Sequence, residues 1–546
     1  MTKAGISTFS VVAILLKLAM WSGKLRSLKF ALAILLLSAF GVSCEERKPS
    51  PNKDLALSYY DSMSIPAYGI SAGKVRRELR KMIGNDRDST LSDFYVKKYY
   101  SEHGSLAWIS RKGVSKSADS LLSRLNEVRK IGFNPRQFRV SEISHDLKRA
   151  HELRFDDAHP AAKVLARLEY NLTKALFRYS SGQRFGYTIP SNLLNRLDPI
   201  DPHDSSCKAY HQLYALDSPR PNKRFYEEAL RHASQGMIKP FLDSCEPQSP
   251  LYKKILGTLN SDSAKSFNRT LLLVNLERAR WRLKDYPWNH DRYVLVNLPS
   301  MHLVAHGKDS TFALRIGCGA AKTKTPLMEG FINRIDINPQ WIMPRSIVKK
   351  NIVHRLGDVG WFASKHYFIR DRASGKIVSP AAASASALLS GSQLAIQEGG
   401  EGNALGRIIF RFNNGLSIYL HDTSSKEIFD KSNRDVSHGC IRVDRPFKLA
   451  TFLLGNNEKV IRQVWYSINA DVSCLGKNKG ELSAEQQDVA DTLKRDMLIG
   501  KAKVAPSVPV YLWYYTLYPD ANGMLRSHKD IYGYDQVIFG YLKNYL

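Results

Sequence analysis

Apolar positions change their spacing about midway along the chain. In the first half they recur every three or four residues, the spacing of an amphipathic helix, from about 71 to 185 and again at 266–281. From about 290 onward, apolar and polar residues alternate, which is typical of half-buried strands. The pattern therefore predicts an α+β protein with a helical N-terminal half and a β-rich C-terminal half.

The same pattern predicts the individual elements. The clearest helices are predicted at 74–83, 117–131, 161–180, 266–281, 344–355 and 446–455. Strands are predicted at 293–298, 311–316, 331–337, 407–413, 416–421 and 508–517. Asn134-Pro135 predicts a break after the second helix. The polar stretch 475–505 predicts a helix followed by a linker.

The first 44 residues have the features of an export signal. A basic segment, 24–29, precedes a short apolar run, 30–37, and then small residues, which is the order found in secretory signals. Cys44 resembles the lipid-attachment cysteine of bacterial lipoproteins, although Gly41 stands where leucine is usual. We therefore expect an exported protein anchored through Cys44, with a plain cleaved signal or an uncleaved anchor as alternatives. Met20 is an alternative start.

Composition narrows the class of partner. A chain of 546 residues predicts two or three domains. Its formal net charge of +29 favours an anionic partner such as nucleic acid, a membrane surface or an acidic polymer. The basic residues are spread along the chain, so a merely solvated basic surface is an equal alternative. The export signal argues against nucleic acid.

The chain contains six cysteines, which limit the disulfides and metal sites that it can form. They are Cys44, Cys207, Cys245, Cys318, Cys440 and Cys474. After Cys44 an odd number remains, so at least one thiol is expected to stay free in an oxidising compartment. A disulfide between Cys207 and Cys245 is compatible with the sequence. No CxxC pair occurs, which argues against a zinc ribbon or a thioredoxin-like centre.

Cys440 is the candidate nucleophile. Two histidines, His421 and His438, lie close to it in sequence, and an imidazole can take the proton of a thiol and return it to a leaving amine. Gly439 allows a tight turn in which the amides of residues 439 and 440 hold an oxyanion. Arg442 is a candidate for binding a substrate carboxylate through two hydrogen bonds.

Other interpretations of these residues stay open. Cys440 can be a buried structural thiol, although its polar Ser-His-Gly context argues against burial. His421, His438 and Cys440 can together bind zinc, but the spacing suggests no fourth ligand. Either histidine can be purely structural.

The site segments resemble the L,D-transpeptidases of the YkuD type. His421 is followed sixteen residues later by the contiguous Ser437-His438-Gly439-Cys440, which resembles the signature of this family. Other segments resemble its large Gram-negative subgroup. They are Leu106-Ala107-Trp108, Gly132-Phe133-Asn134-Pro135, Asn275-Leu276-Glu277-Arg278, Thr325-Pro326, Asn338-Pro339, Asn403-Ala404-Leu405-Gly406-Arg407, Tyr419-Leu420-His421-Asp422-Thr423, Val508 to Tyr515 and Asp530-Ile531-Tyr532-Gly533.

The resemblance implies a domain order. It implies a helical scaffold domain over 71–270 and a YkuD-type catalytic domain over 289–470, with a capping lobe at about 340–400. The signal and lipoprotein segment (1–44) and a linker (45–70) come first. A C-terminal helix and strand (471–546) are expected to pack back on the scaffold or catalytic domain. The periplasm is the implied location.

The resemblance also implies a reaction without cofactor or metal. Cys440 attacks the carbonyl of the third residue of a tetrapeptide stem of peptidoglycan, and the terminal D-alanine leaves with a proton from His421. The amine of an acceptor stem then resolves the thioester into a 3→3 cross-link. His438 and Gly439 are expected to shape the oxyanion site, and Tyr419, Ser437 and Arg442 to bind substrate, although Tyr419 can equally pack on the sheet. Carbapenem β-lactams are implied inhibitors.

Two departures and two alternatives accompany this resemblance. The subgroup's peptidoglycan-binding module has no room between 251–259 and 266–281. A Gln397-Glu398-Gly399-Gly400 run replaces Gln-x-Pro-Gly, so a more flexible loop is expected. An L,D-carboxypeptidase or cross-link hydrolase would use the same residues, with water as acceptor. A non-catalytic wall-binding lipoprotein is disfavoured by the intact pair of His421 and Cys440.

Overall fold

The computed structural model describes residues 72–102, 104–110, 113–201, 208–475, 480 and 482–546. The predicted export signal, Cys44 and Cys207 lie outside these ranges. Cys245 is buried and carries a free thiol. Within the described ranges, no helix combines the length and the apolar character needed to cross a membrane.

Helices dominate the described chain before residue 290, as the helical spacing predicts. They are Ala72–Asn85, Leu91–Ser101, Lys116–Asn126, Val140–Glu152, Ala161–Phe185, Pro190–Leu194, Lys223–Ser234, Ile238–Cys245, Pro250–Leu259 and Arg269–Arg280. Later helices are Arg345–Ile347, Val359–Ser364, Ala385–Ser390, Pro446–Leu454, Glu458–Asn469, Ala484–Thr492 and Tyr534–Leu542. Only a short 3-10 turn, Asp262–Ser266, separates Pro250–Leu259 from Arg269–Arg280, so no further module lies between them.

Strands dominate the second half. In chain order they are β1 (Ile109–Ser110), β2 (Gly113–Val114), β3 (Tyr293–Asn297), β4 (His302–His306), β5 (Thr311–Gly319), β6 (Met328–Ile337), β7 (Trp341–Ile342), β8 (Tyr367–Asp371), β9 (Ile377–Val378), β10 (Gln393–Gln397), β11 (Ile408–Phe412), β12 (Leu420–His421), β13 (Asp435–Ser437), β14 (Ile441–Val443), β15 (Lys501–Trp513), β16 (Leu517–Pro519) and β17 (Leu525–Ser527). The α+β prediction is therefore confirmed.

The chain divides into two compact units. The first contains the described residues up to Arg124 together with Arg139–Leu176 and Glu227–Lys239. The second contains Leu125–Phe138, Phe177–Tyr226 and Pro240–Leu546. The domain limits implied by the sequence stay predictions.

A buried carboxylate organises the first unit. Glu169 accepts hydrogen bonds from the backbone amides of Ala107 (2.6 Å) and Trp108 (3.1 Å) and from the Tyr100 hydroxyl (2.8 Å). The Trp108 indole donates to the Thr173 hydroxyl at 2.9 Å. Burial disfavours the charged carboxylate and raises the pKa of Glu169 to about 7. These contacts anchor the segment around Trp108 to the long helix Ala161–Phe185.

Nine strands of the second unit form one sheet, in the order β13-β5-β14-β12-β11-β6-β15-β3-β4. The first part of β5 pairs with β4, and its later residues Ile316 and Gly317 pair with β14. The sheet therefore closes into a barrel, with β13 attached to the end of β5. Most pairs are antiparallel, whereas β12 with β14, β3 with β15 and β13 with β5 are parallel.

The strand β15 is an integral part of this barrel. The sequence predicts that the C-terminal strand packs back on the scaffold or catalytic domain, and β15 pairs with β6 on one side and β3 on the other. Val510 and Leu512 are fully buried. The continuous apolar run of β15 is explained by this central position, since both of its faces meet protein.

Residues 341–397 form a small lobe at the position of the predicted capping lobe. Four strands pair in the order β7-β10-β8-β9. The lobe has its own apolar core, formed by Met343, Val348, Ile352, Phe362, Ile369, Leu388 and Ala395. The predicted helix 344–355 is present but irregular, because a π-helical turn, Val348–Ile352, interrupts it.

The strand predicted at 416–421 is shorter than expected. Only Leu420–His421 pairs with its neighbours. The Asn414 side chain accepts hydrogen bonds from the amides of Leu416 and Ile418 (both 3.1 Å), and Ser417 has a φ of 55°. This side-chain-capped turn competes with sheet pairing, and alternation of apolar residues does not reveal it.

Substitution of Lys174 tests how much buried charge pairing stabilises the first unit. Its side chain is 2% exposed, and Nζ lies 2.7 Å from Asp88 and 3.7 Å from Asp93 and hydrogen-bonds Asp86. Because Lys174→Met removes the buried cation that Asp86, Asp88 and Asp93 share, we expect the free energy of unfolding to fall by about 3–5 kcal/mol. Urea denaturation followed by tryptophan fluorescence measures it.

The matched control is Lys81→Met. Lys81 pairs with Glu78 at 2.7 Å, but its side chain is 69% exposed, so its loss is expected to cost less than about 1 kcal/mol. Equal effects of the two substitutions would contradict the assigned role of Lys174.

Candidate active site

Strand pairing sets the positions of Cys440 and His421. β12 and β14 run parallel, with Leu420 opposite Ile441 and His421 opposite Arg442. The Ile441 amide donates to the Tyr419 carbonyl at 2.9 Å. Cys440, directly before β14, therefore lies next to Tyr419, directly before β12. The predicted base therefore lies on β12, and the predicted nucleophile immediately precedes the adjacent strand β14.

A serine hydroxyl closes the turn before the nucleophile. Ser437 Oγ donates to the Cys440 carbonyl at 2.6 Å and accepts the Gly439 amide at 3.1 Å. Gly439 has a φ of 114°, and a Cβ there would lie 3.0 Å from Ile418 Cδ1, so a side chain at this position would be both strained and crowded.

This turn changes the expected oxyanion site. The sequence suggests that the amides of Gly439 and Cys440 both point at substrate, but the Gly439 amide is already bonded to Ser437. Within the described chain, the Cys440 amide makes no hydrogen bond and is the donor left for an oxyanion. The Ser437 hydroxyl has two partners inside the turn, and its predicted contact with substrate stays a prediction.

His421 is held as a neutral imidazole. Its side chain is buried, and Nδ1 is hydrogen-bonded to the Asp422 carbonyl. Since a carbonyl only accepts, the proton is on Nδ1, and Nε2 carries the lone pair of the neutral ring. Burial lowers the pKa of His421 to about 4, and the nearby Arg442 charge acts in the same direction, while the hydrogen bond to the Asp422 carbonyl and the nearby Leu405 backbone oppose it.

The Cys440 thiol is also neutral at rest. Burial raises its pKa above the ordinary value, and the Tyr419 backbone, Arg411 and Arg442 oppose this shift. Sγ lies 3.7 Å from the Ser417 carbonyl, to which the thiol donates. With a neutral imidazole on the neighbouring strand as its base, a neutral thiol must transfer its proton as the sulfur attacks.

Two arginines lie next to the nucleophile. Within the described chain, the buried Nε of Arg442 has no hydrogen-bond acceptor. The Arg411 guanidinium lies 4.5 Å from the centroid of the Tyr419 ring and is held by Asp336 at 2.8 Å. Tyr419 thus packs on the sheet beneath Arg411, and its contact with substrate stays a prediction. Arg442 retains an unused donor for an acceptor such as a carboxylate.

The Asp422 side chain has a structural role that the sequence did not reveal. Its Oδ2 accepts the Arg407 amide at 2.8 Å, and its Oδ1 pairs with Lys426. Gly406 has a φ of 64°, and a Cβ there would lie 2.3 Å from Asp422 Cγ. The carboxylate therefore fastens the 403–407 loop beside His421, while its own backbone carbonyl orients the imidazole.

Hydrogen bonds connect the 403–407 loop to the small lobe. Gln397, at the end of β10, accepts the Ala404 amide at 2.9 Å and donates to the Gly402 carbonyl at 3.2 Å. Asn403 donates to the Glu398 carbonyl at 2.7 Å. The predicted flexibility of this loop stays a prediction, but side-chain hydrogen bonds link it to the lobe.

Thr325 and Tyr532 support the turn from the opposite side. Thr325 Oγ1 donates to the Gly439 carbonyl at 2.7 Å. The Tyr532 hydroxyl accepts the Thr325 amide at 3.0 Å and donates to the Gly319 carbonyl at 2.7 Å. Both residues lie in segments that carry the family resemblance, but no sequence pattern relates two positions so far apart in the chain to one turn.

The remaining predicted residue is His438. Its side chain is exposed, and its part in the oxyanion site stays a prediction. Within the described chain, no group of three or more histidine, cysteine, aspartate or glutamate side chains is arranged to hold a metal ion. The zinc-binding interpretation of His421, His438 and Cys440 thus gains no support from the geometry.

Comparisons with known proteins agree with this geometry. Residues 291–462 match the YkuD L,D-transpeptidase catalytic domain, and residues 93–259 match the Scaffold domain. A Haemophilus influenzae protein named "Putative L,D-transpeptidase" is 25% identical over 325 residues, which cover 58% of this chain and 60% of that protein. The chain thus matches less than two thirds of that relative's length. Tyr532 lies outside the catalytic-domain match.

Tyr532→Phe tests the support of the turn. The substitution removes the hydroxyl bonded to Thr325 and Gly319, so the turn is held less firmly while the aromatic packing remains. We expect the rate constant for acylation of Cys440 by a β-lactam to fall about tenfold or more, with the concentration for half-saturation little changed. Stopped-flow kinetics separates the two parameters.

Tyr541→Phe is the matched control, because Tyr541 is 58% exposed. Wild-type acylation is expected for this variant. If Tyr532→Phe also acylates at the wild-type rate, the hydroxyl does not support the turn.

Proposed function

We propose that this chain, whose residues 291–462 belong to the L,D-transpeptidase catalytic-domain family, forms 3→3 cross-links in peptidoglycan through a thioester on Cys440. The observation that carries the proposal is the neutral imidazole of His421, with its proton on Nδ1, on the strand beside Cys440. This arrangement suits a base that accepts one proton and returns it within each acyl transfer.

In the first half-reaction, Cys440 Sγ attacks the carbonyl carbon of the third residue of a tetrapeptide stem. The thiol proton passes to Nε2 of His421 as the S–C bond forms, and the Cys440 amide donates to the developing oxyanion. The C–N bond then breaks, His421 protonates the leaving nitrogen, and D-alanine departs. A thioester on Cys440 and a neutral His421 remain.

In the second half-reaction, the side-chain amine of an acceptor stem attacks the thioester. His421 takes the proton released by the amine and returns it to the departing Cys440 sulfur. The new amide links the third residues of two stems. Because the thioester conserves the acyl bond, the exchange needs no external energy source.

Charge at the site supports an anionic donor stem. The buried Nε of Arg442 lacks an acceptor within the described chain and lies near both His421 and Cys440. We propose that it receives the terminal carboxylate of the donor stem, which would place the scissile bond over the sulfur. The arrival of that carboxylate would also offset the positive charge that disfavours protonated His421.

The expected setting of this reaction follows from the sequence. We propose that the chain works in the periplasm, held at a membrane through Cys44, and that carbapenems acylate Cys440 in place of a stem. Peptidoglycan stems, rather than nucleic acid, are the proposed partners of the catalytic site.

Purified tetrapeptide-bearing muropeptides test the proposal. Wild-type protein is expected to release D-alanine and yield 3→3 dimers in liquid chromatography with mass spectrometry. Cys440→Ala is expected to abolish both products and the covalent carbapenem adduct, since no other group can carry the acyl chain. His421→Gln is expected to reduce turnover by about 10²–10⁴-fold, because the general base is lost.

Cys474→Ala is the control, because Cys474 is a buried thiol that does not contribute to the site. Tripeptides without dimers would instead support an L,D-carboxypeptidase. Dimer formation by Cys440→Ala would refute the thioester mechanism.

A further inference from the structure

The second unit contains another cleft, which shares no lining residue with the site around Cys440. Its volume is about 340 Å³, within the range of ligand-binding pockets. The walls come from the end of the helix Ala161–Phe185, the 247–249 loop and the segment that follows the helix Arg269–Arg280. Nothing in the proposed transpeptidation uses these residues.

One wall of the cleft is an aromatic platform. The rings of Tyr286 and Trp288 are stacked, with centroids 4.6 Å apart and an interplanar angle of 16°. Trp288 is 48% exposed although it is a large apolar residue, and its edge is fixed against Trp513 at 6.3 Å. A rigid, half-open indole beside polar groups offers a flat surface to the C–H face of a sugar ring.

The cleft also carries positive charge without a matching anion. Arg282 lines the cleft, and both its burial and the neighbouring Arg184 lower its pKa. No aspartate or glutamate of the described chain forms an ion pair with either arginine, and none lines the cleft. Two arginines that repel each other in a partly buried place would gain from a bound anion.

Further hydrogen-bonding capacity faces the same space. Arg280 is 2% exposed, lines the cleft, and has an Nε without an acceptor within the described residues. Ser249 Oγ accepts the Tyr252 amide at 3.2 Å, which leaves its own proton to donate, and the Gln248 side chain is exposed beside it. Such donors suit the oxygens of hydroxyl, acetamido and carboxylate groups.

We infer that this cleft binds an acidic amino-sugar glycan, with a sugar ring on Trp288 and a carboxylate at Arg282. The aromatic platform, the unmatched arginines and the buried donor together specify a carboxylate-bearing saccharide. The choice of the cell-wall glycan strand as its source rests on the proposed function. The cleft would hold the polymer while the site at Cys440 acts on its peptides.

Binding is measured with the full chain carrying Cys440→Ala, so that catalysis plays no part. The probe is a set of peptide-free glycan chains released from peptidoglycan by an amidase, whose muramic acid residues carry free carboxylates. Chitotetraose is the neutral comparison. Isothermal titration calorimetry is expected to show at least tenfold tighter binding of the acidic chains, and added Trp288→Ala or Arg282→Gln is expected to weaken it about tenfold each.

Trp465→Ala is the matched control, because Trp465 is also an exposed tryptophan, at 55%, and does not line the cleft. Carbapenem acylation of the same substitutions in the Cys440-containing chain checks that they fold and keep the catalytic site. Four results would each overturn the inference. They are unchanged glycan binding in Trp288→Ala and Arg282→Gln, equal affinity for chitotetraose, no glycan binding, and binding of free stem peptides alone. If the glycan binds as expected but the muropeptide assay yields no transfer product, glycan binding by the cleft is supported and the proposed function is refuted.

Discussion

The catalytic arrangement depends on one short parallel strand pairing. Leu420–His421 and Ile441–Val443 are only two and three residues long, yet their register places His421 beside the strand that directly follows Cys440. Each is also paired to a longer neighbour, β11 or β5, inside a closed barrel. A shift of one residue would turn every side chain of the shifted strand to the other face. The closed barrel therefore protects the alignment of base and nucleophile, and the hydrogen bonds of Ser437, Thr325 and Tyr532 hold the turn that leads into Cys440.

Burial at this pairing determines the resting charge state. It raises the pKa of the Cys440 thiol and lowers that of His421, so both effects favour the neutral pair over a thiolate–imidazolium pair. Arg442 lowers both values; it favours the thiolate and disfavours the imidazolium. The chemistry that follows is a proton transfer coupled to attack, with charge created only when an electrophile is present. A neutral resting thiol also reacts less readily with adventitious electrophiles, because the thiolate is the nucleophilic form.

Much of this organisation is visible in the sequence, and the missing parts share a physical cause. Apolar spacing locates the long helices, the strands of the barrel and the change at about 290, because burial of one face leaves a periodic trace. The contiguous Ser437-His438-Gly439-Cys440 with His421 also predicts the site, because these residues lie close together in the chain. By contrast, the hydrogen bond of the Arg407 amide to Asp422 and that of the Thr325 amide to Tyr532 depend on how separate segments meet. The hydrogen bond of the Gly439 amide to Ser437 is local, but it depends on the geometry of the turn. Periodicity carries no information about such contacts. The central position of β15 in the barrel is likewise not visible in the sequence, since an apolar run does not indicate which strands it pairs with.

The whole mechanism requires that His421 rests as a neutral imidazole with its proton on Nδ1, so that Nε2 can take the proton of Cys440. Nitrogen-15 NMR of histidine-labelled protein, titrated from pH 3 to pH 9 and assigned with His421→Gln, measures this directly. We expect the His421 signals to titrate with a midpoint of about 4 and, at pH 7, to show a protonated Nδ1 and an unprotonated Nε2. An imidazolium at pH 7, or a neutral ring with its proton on Nε2, would contradict the account.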